Sequence, residues 1–400
     1  MFLTNLTLSN FRSYHHVETE IPRGILLLSG GNAQGKTTIL EALFYCAAFS
    51  SQLAENDRQL IRFEELKEPV AVARIVAQFQ KSNTEHKLEI RIIQETANFN
   101  TRVRKEILLN GIKTSAQKAI GTFPAVLLIP QMTAILEGSP QERRRYLNLT
   151  LSQSIPGYAQ ALTEYNQIIS QRNALLKLIS ERKADPQQLD YWDDLMAKRA
   201  SFIIYHRIHA LLKLEEFAQE AHLRLTANQE KLCLNYQPSY DPAKDSTGNE
   251  PSKYVMSNCP DRSSFSTDEI EKGFHHRLNS IRNKEIERGL STIGPHRDDF
   301  RINGNEIDLG TYGSRGQIRT ALISLKLAEI NWMQTKTGVY PLLLLDETLA
   351  ELDHQRRNDL QEWLNTCNQG ILTTSDLSHF TESFIQKHVV WNVTGGTIQK

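Results

Sequence analysis

The stretch ILLLSGGNAQGKTTILEALFYCAAF, residues 25–49, passes from a continuous apolar run through a glycine-rich turn into a helix-like segment. Ile25 to Ser29, bounded by Gly24 and Gly30, reads as a short buried strand. Gly30, Gly31, Asn32, Ala33, Gln34, Gly35, Lys36 and Thr37 fit the P-loop pattern G-x-x-x-x-G-K-[ST], and Thr38 leads on into the helix. Glycine lets such a loop turn successive backbone N–H groups toward nucleotide phosphates, and the following helix N-terminus adds positive potential. In this reading Lys36 reaches the β- and γ-phosphates and the Thr37 hydroxyl binds Mg²⁺.

A second signal lies 310 residues beyond Lys36, where LLLLDE ends an apolar run in Asp346 and Glu347. Alone it is weak, because strands often finish at polar residues. Beside a P-loop it gains meaning, since Mg²⁺ needs a further carboxylate and hydrolysis needs a group that orients water. Asp346 is therefore assigned to Mg²⁺, and Glu347 to the attacking water as base or positioner. A third signal begins at Thr311, where Ser314-Arg315-Gly316-Gln317 precedes apolar residues at Ala321, Leu322, Leu325 and Ala328. Ser314 sits where a helix N-cap belongs, a place that offers N–H groups and a hydroxyl to an anion and equally suits an ordinary cap.

Outward from these motifs the pattern alternates between strand and helix. Leu3 to Leu8 alternates with period two, and VAVARIVAQF, KLEIRII and KEILLNGIK between residues 70 and 115 read as a largely antiparallel sheet with a tight turn at Asn110-Gly111. A second short hairpin is read around Asn303-Gly304. From Gly157 to Leu225 the period becomes helical, giving two antiparallel helices joined near Pro186. Arg172, Lys177, Arg182, Lys183, Lys198, Arg199, Arg207 and Lys213 interleave with acids and are read as a solvated face. Residues 237–268, rich in Pro, Ser, Asp and Asn, are read as a long loop or mobile segment.

At 400 residues and 40% hydrophobic content the chain can bury a core and hold two or three domains. Lys and Arg number 46 and Asp and Glu 46, so no global field draws the protein to a polyanion, and such a partner must be met by a local patch. Arg143, Arg144 and Arg145 could form one, or could pair with nearby acids. Cys46, Cys233, Cys259 and Cys367 include no CxxC pair, which argues against a disulfide framework or a Cys-rich zinc site. His296, Asp298 and Asp299 match no closed zinc spacing and are read as an electrostatic tie between arm and head. No apolar run approaches the roughly 20 residues of a membrane span, and MFLTNLTLSNFRSY lacks the features of a signal peptide, so a cytoplasmic location is expected.

Taken together, the P-loop, the serine-led Gly-Gln signature, the Asp-Glu strand and the inserted helical hairpin resemble the ABC-type ATPases of the SMC and Rad50 group. Within that group LTLSNFRSY, LEGSPQERRRYLN, YWDDL, GPHRDD and YGSRGQIRTALISLKLAE are similar to the RecF family. The resemblance implies an α/β fold: a P-loop ABC-type ATPase head at residues 1–135 and 290–400 with an antiparallel β subdomain, and a helical arm at 136–289. It implies an ATP-driven homodimer in which Ser314, Gly316 and Gln317 meet the γ-phosphate on the partner's P-loop, with Asp353 at the same interface and Arg12 near the nucleotide. Gln131 falls near the place of a Q-loop glutamine, although the family commonly has Pro-Glu-Asp where this chain has Pro130-Gln131-Met132. No firm switch histidine follows the Asp-Glu strand, where ILTTSD stands and His379 is nearest, so slow ATP hydrolysis is expected. The implied partners are gapped or junction duplex DNA, RecR and RecO proteins and, indirectly, RecA loaded on SSB-coated single strands in DNA repair, replication and the SOS response. A competing class is an SMC- or Rad50-like tether, but a segment of roughly 30 residues makes an arm of only about 45 Å. A transporter subunit would need a membrane partner and usually carries its signature much nearer the P-loop.

Overall fold

The computed structural model describes residues 1–97, 100–244 and 261–400. Along the chain run β1 (Phe2–Phe11), β2 (Tyr14–Glu20), β3 (Gly24–Ser29), α1 (Lys36–Ala48), β4 (Val70–Lys81), β5 (Thr84–Ala97), β6 (Asn100–Leu109), β7 (Ile112–Thr114) and β8 (Ala125–Leu128). There follow α2 (Pro140–Ser154), α3 (Tyr158–Ser180), α4 (Leu189–Leu225), β9 (Leu232–Gln237), α5 (Thr267–Arg288), β10 (Asp299–Gly304) and β11 (Ile307–Asp308). The order closes with α6 (Arg315–Thr337), β12 (Leu342–Asp346), α7 (His354–Leu364), β13 (Gln369–Thr374), β14 (Val389–Thr394) and β15 (Thr397–Gln399), and short helical turns occur between these elements. The chain divides into two compact units, residues 1–132, 224–227 and 329–400 in the first and 133–223 and 228–328 in the second.

In the first unit the run read at Ile25–Ser29 is β3, and Ile25 to Leu28 are all buried, as a strand covered on both faces requires. It lies inside a six-stranded sheet of order β15-β14-β3-β13-β12-β8, parallel except for the β14–β15 pair. A second six-stranded sheet, β2-β1-β4-β5-β6-β7, is antiparallel throughout. Its last turn holds Asn110 and Gly111 at φ 52° and 82°, the positive-φ pair expected from the sequence. The buried Gln369 side chain joins β1 and β13, accepting from Leu3 N–H at 2.8 Å and donating to the Leu3 and Pro22 carbonyls, each at 2.9 Å.

Residues 290–328, expected with the head, fall in the second unit. The cause is pairing: β10 runs antiparallel to β9, with Phe300 opposite Tyr236 and Ile302 opposite Leu234. The hairpin turn expected at Asn303-Gly304 lies two residues later, with Asn305 and Glu306 at φ 46° and 71° and Gly304 paired to Ile307. The helical pair α3 and α4 is joined through a turn at Pro186–Gln188, as read. Helix α5 was not read, although Ser266 and Glu269 form a capping box at its start, a signal present in the sequence. Of the loop expected at 237–268, residues 245–260, with Cys259, lie outside the described residues. Its described ends are tied by Arg262, which donates to both Asp241 oxygens at 2.8 and 2.6 Å.

Arg172 and Arg207, read as solvated, are buried. Arg172 falls on the inward stripe of α3 with Tyr165, Ile168, Leu176 and Ile179. It donates to Asp193 and Ser291, each at 2.7 Å, and pairs with Glu285 at 2.7 Å, linking α3, α4 and α5. Breaking such a buried pair costs about 3–5 kcal/mol, because it strands a charge away from water. Arg207 of α4 donates to the Pro295 carbonyl at 2.7 Å and to Asp298 at 3.1 Å. Asp298 also accepts from Tyr236 Oη at 2.7 Å and from the Ser239 N–H and hydroxyl. Of the arginine triplet, Arg143 pairs bidentately with Asp299 at 2.7 and 2.8 Å, Arg144 donates to the Asp298 carbonyl, and Arg145 is exposed. The expected electrostatic tie therefore lies within the second unit.

His296 meets Tyr165 Oη through Nδ1 at 2.7 Å. Burial, followed by the positive charges of Arg297, Arg144 and Arg207, pushes its pKa down to about 4. An unfolded histidine titrates near ~6.5, so between that value and the folded one the unfolded chain binds a proton that the folded chain refuses. Stability therefore falls as pH drops through this window, by on the order of 3 kcal/mol. His296→Gln, which cannot charge, should lose less stability between pH 7 and pH 4.5 in urea titrations. Equal losses in the two proteins would refute this role for the imidazole.

Candidate functional site

The carboxyl end of the parallel sheet gathers the first two motifs into one place. Glycine is required at position 30, where φ is 152° and a Cβ would run into the Val393 carbonyl of β14. Gly35, at φ 104°, caps α1, and a Cβ there would crowd Tyr14 Oη and Ser13 Oγ at 3.0 and 3.2 Å. Tyr14 Oη donates to the Gly35 carbonyl at 3.2 Å, so the Phe-Arg-Ser-Tyr segment packs directly on the loop. On the loop's other flank Gly395 N–H donates to Gln34 Oε1 at 2.7 Å and Gly396 N–H to the Gln34 carbonyl at 3.1 Å.

Lys36 is almost wholly buried, and its ammonium donates to the Gly30 and Gly31 carbonyls at 2.7 and 2.9 Å. The same Nζ stands 3.4 Å from Glu347 Oε1. Thr37 Oγ1 donates to Asp346 Oδ1 at 2.8 Å, and Thr373 Oγ1 of β13 donates to the same oxygen at 2.7 Å. Glu347, just past β12, has φ 48°, a strained conformation for a residue with a side chain. Its N–H reaches Thr373 Oγ1 at 3.1 Å, and its Oε2 accepts from the Ser375 N–H and hydroxyl at 3.0 and 3.1 Å. Thr373 and Ser375, within the ILTTSD stretch read only as lacking a histidine, were missed as site residues.

Of these groups Lys36, Thr37 and Glu347 border a cavity of about 550 Å³ walled by Arg12, Asn32 to Thr38, Phe63 and Glu347, while Asp346 and Thr373 are buried behind Thr37 and do not form its wall. Arg12, at φ 52°, sends Nε and Nη2 to the two oxygens of Glu41 at 2.9 and 2.7 Å. Glu41 lies on α1 and anchors the arginine at the cavity wall, a partnership invisible in the sequence. Phe63, exposed at 73%, adds an aromatic face that the sequence reading did not single out. Gln131 stands exposed in a helical turn after β8 and is not part of the wall. Asp353 caps α7, accepting from Arg356 N–H at 3.0 Å and pairing with its guanidinium at 3.2 Å. The hydroxyl of Thr37 and the carboxylate of Asp346 are hard oxygen donors of the kind Mg²⁺ takes alongside phosphate and water. Among the described residues no cluster of three or more His, Cys, Asp or Glu could hold a metal alone, and no helix is long and apolar enough to cross a membrane.

In the second unit Ser314 and Gln317 form a reciprocal cap at the start of α6. Ser314 N–H donates to Gln317 Oε1 at 3.0 Å, and Gln317 N–H to Ser314 Oγ at 3.3 Å. Gln317 Nε2 donates onward to Glu230 at 2.9 Å. Ser314, Arg315 and Gly316 are exposed.

The family described as RecF/RecN/SMC N terminal domain matches residues 2–396. The chain is 35% identical to the DNA replication and repair protein RecF of Roseiflexus castenholzii, with 99% of each chain covered. It is also 35% identical to the RecF protein of Herpetosiphon aurantiacus, covering 100% of this chain and 99% of that one. A solved structure of the recombination mediator protein RecF with ATP in the RecFOR pathway superposes with a TM-score of 0.81 at 28% identity, covering 100% of this chain and 97% of that one. An Smc head with an extended coiled coil from Pyrococcus furiosus, bound to the C-terminal domain of ScpA, shares the fold at a TM-score of 0.52 and 15% identity, covering 100% and 95%.

Gly30→Ala should destabilise the first unit by roughly 2 kcal/mol or more, since the new methyl meets backbone and the φ suits glycine. Urea unfolding measures it, and a variant as stable as the parent would show that the loop can shift away from β14.

Proposed function

Because this chain belongs to the RecF family, within the RecF/RecN/SMC N-terminal domain group, we propose that it is an ATP-dependent DNA-binding recombination mediator acting in DNA replication and repair. The observation that carries this reading is the hydrogen bond from Thr37 to Asp346 at 2.8 Å, which ties the P-loop to the end of the Asp-Glu strand and leaves Lys36 and Glu347 side by side on the cavity wall. Lys36 supplies positive charge to the β- and γ-phosphates in exchange for its two loop carbonyls. The N–H groups of the loop and of the first turn of α1 cradle the phosphate oxygens. Thr37 and Asp346 would hold Mg²⁺, which when bound neutralises phosphate charge. Glu347 orients a water for attack on the γ-phosphorus and takes its proton, with Ser375 and Thr373 fixing that carboxylate and its backbone.

The cap at Ser314, Gly316 and Gln317 meets the γ-phosphate held by the P-loop of a second copy, and Asp353 takes part in the same dimer interface. Intact ATP then favours a dimer that clamps duplex DNA at gaps or single-strand junctions, and slow hydrolysis releases it. RecO- and RecR-type proteins act with this clamp to load RecA on SSB-coated strands in the cytoplasm. A long tether is disfavoured by the helices themselves, since α3 and α4, of 23 and 37 residues, span only about 35 and 55 Å.

Lys36→Ala should abolish tight ATP binding, whereas Glu347→Gln should keep ATP bound and unhydrolysed, because the first acts on the ground state and the second on the attacking water. Equal loss of affinity for a fluorescent ATP analogue in both would contradict these roles. Ser314→Arg should bind ATP as a monomer yet fail to dimerise with it in sedimentation velocity. Normal ATP-dependent dimers of this variant would reduce Ser314 to a helix cap.

A further inference from the structure

One face of α2, carrying Gln141, Arg144, Arg145 and Asn148, borders a groove of about 520 Å³ in the second unit. Leu162 and Asn166 of α3 and His296 of the GPHRDD segment stand on its other sides. The groove shares no wall residue with the P-loop cavity, and no carboxylate lines it. Its surroundings hold more cations than anions. Asp299 is taken bidentately by Arg143, and Asp298 by Arg207, Tyr236 and Ser239. Arg144 donates to a main-chain carbonyl, that of Asp298, at 2.9 Å. Burial and then the charge of Arg207 work against the protonated Arg144, a condition that a bound anion relieves.

The opposite walls are of another kind. Leu162 and Leu149 give an apolar surface, with Tyr165 buried behind it. Asn166 is an amide able to donate and accept at a base edge, and Asn148, whose Oδ1 accepts from Arg207 and Tyr158, keeps its Nδ2 to donate. The volume is that of a small-ligand site, about 300–1,000 Å³. Two guanidinia for a phosphate, an apolar wall for the flat face of a ring and amides for its edge describe a nucleotide. We infer that this groove takes one nucleotide unit of a DNA strand, with its phosphate on Arg144 and Arg145. The inference rests on the DNA-binding reading above and adds the place on the chain where a strand is held. A free nucleotide carries the same chemistry, so the test separates the two sources.

Fluorescence anisotropy of a fluorescein-labelled oligothymidine, titrated with the full chain and saturating ATP at several salt concentrations, reads the site. Arg145→Glu removes a rim cation, and Asn166→Trp fills the groove without changing charge. Each should weaken binding about tenfold, and Arg145→Glu should also flatten the log affinity against log salt slope by about one. Both should keep the parent's affinity for a fluorescent ATP analogue, which reports an intact fold in the other unit, and the parent's urea midpoint. If the parent binds the oligonucleotide and both variants match it within twofold, the groove is not the strand's site and the DNA-binding reading survives. If the parent binds neither this strand nor gapped duplex, the DNA reading falls and the inference with it. Thymidine monophosphate binding as tightly as the oligonucleotide, and lost in the same variants, would overturn the strand as the source.

Discussion

The Asp346 carboxylate accepts hydroxyl hydrogen bonds from Thr37 and Thr373 on a single oxygen, and the rest of the first unit is arranged so that it can. Those partners come from the start of α1 and the end of β13, positions 309 and 27 residues away in the chain. The parallel register makes the meeting possible: Asp346 stands beside Thr373 on β13, and Thr373 beside Leu28 on β3. A slip of one residue in either pairing would turn one of these side chains to the other face of the sheet. The buried leucines of β3 and β12 therefore do more than fill a core, since their packing fixes the register that sets the site.

Glu347 shows what happens where that register ends. The chain must leave the sheet sharply to keep the carboxylate near Lys36, and it does so with a positive φ at a residue that has a side chain. Such conformations cost on the order of 1–3 kcal/mol and persist only where the surroundings over-determine them. Here the Thr373 hydroxyl holds the Glu347 N–H and Ser375 holds its side chain from the backbone and hydroxyl together. Strand, strained residue and hydroxyl pair form one unit aimed at a single carboxylate position.

The parts legible in the sequence were those whose chemistry is local. The strand, loop and helix around Lys36 follow from neighbouring residues, as does the cap at Ser314, because turn geometry and capping act over a few positions. Thr373, Ser375, Glu41 and Phe63 were not legible, since each acquires meaning from a residue tens or hundreds of positions away. Arg172 and Arg207 were misread for a different reason. Charge suggested the surface, yet Arg172 lies seven residues from Tyr165 and four from Leu176, on the stripe that faces inward. Periodicity outranked residue type at that position, because Asp193 and Glu285 supplied the neutralising partners. The return of residues 290–328 to the second unit was hidden because β10 finds its partner in β9, across a long intervening segment.

The contacts from the β14–β15 hairpin to the P-loop also bear on the order in which a newly made chain matures. Gly395 and Val393 brace Gln34 and Gly30, and Gly395 follows Gln34 by 361 residues. At ribosomal rates of about 5–20 residues per second, that interval is roughly 20–70 seconds. A nascent chain thus carries its P-loop sequence for all that time without the strand that bounds the loop. Walker-loop geometry is a late property of this polypeptide, although its residues are among the earliest to be made.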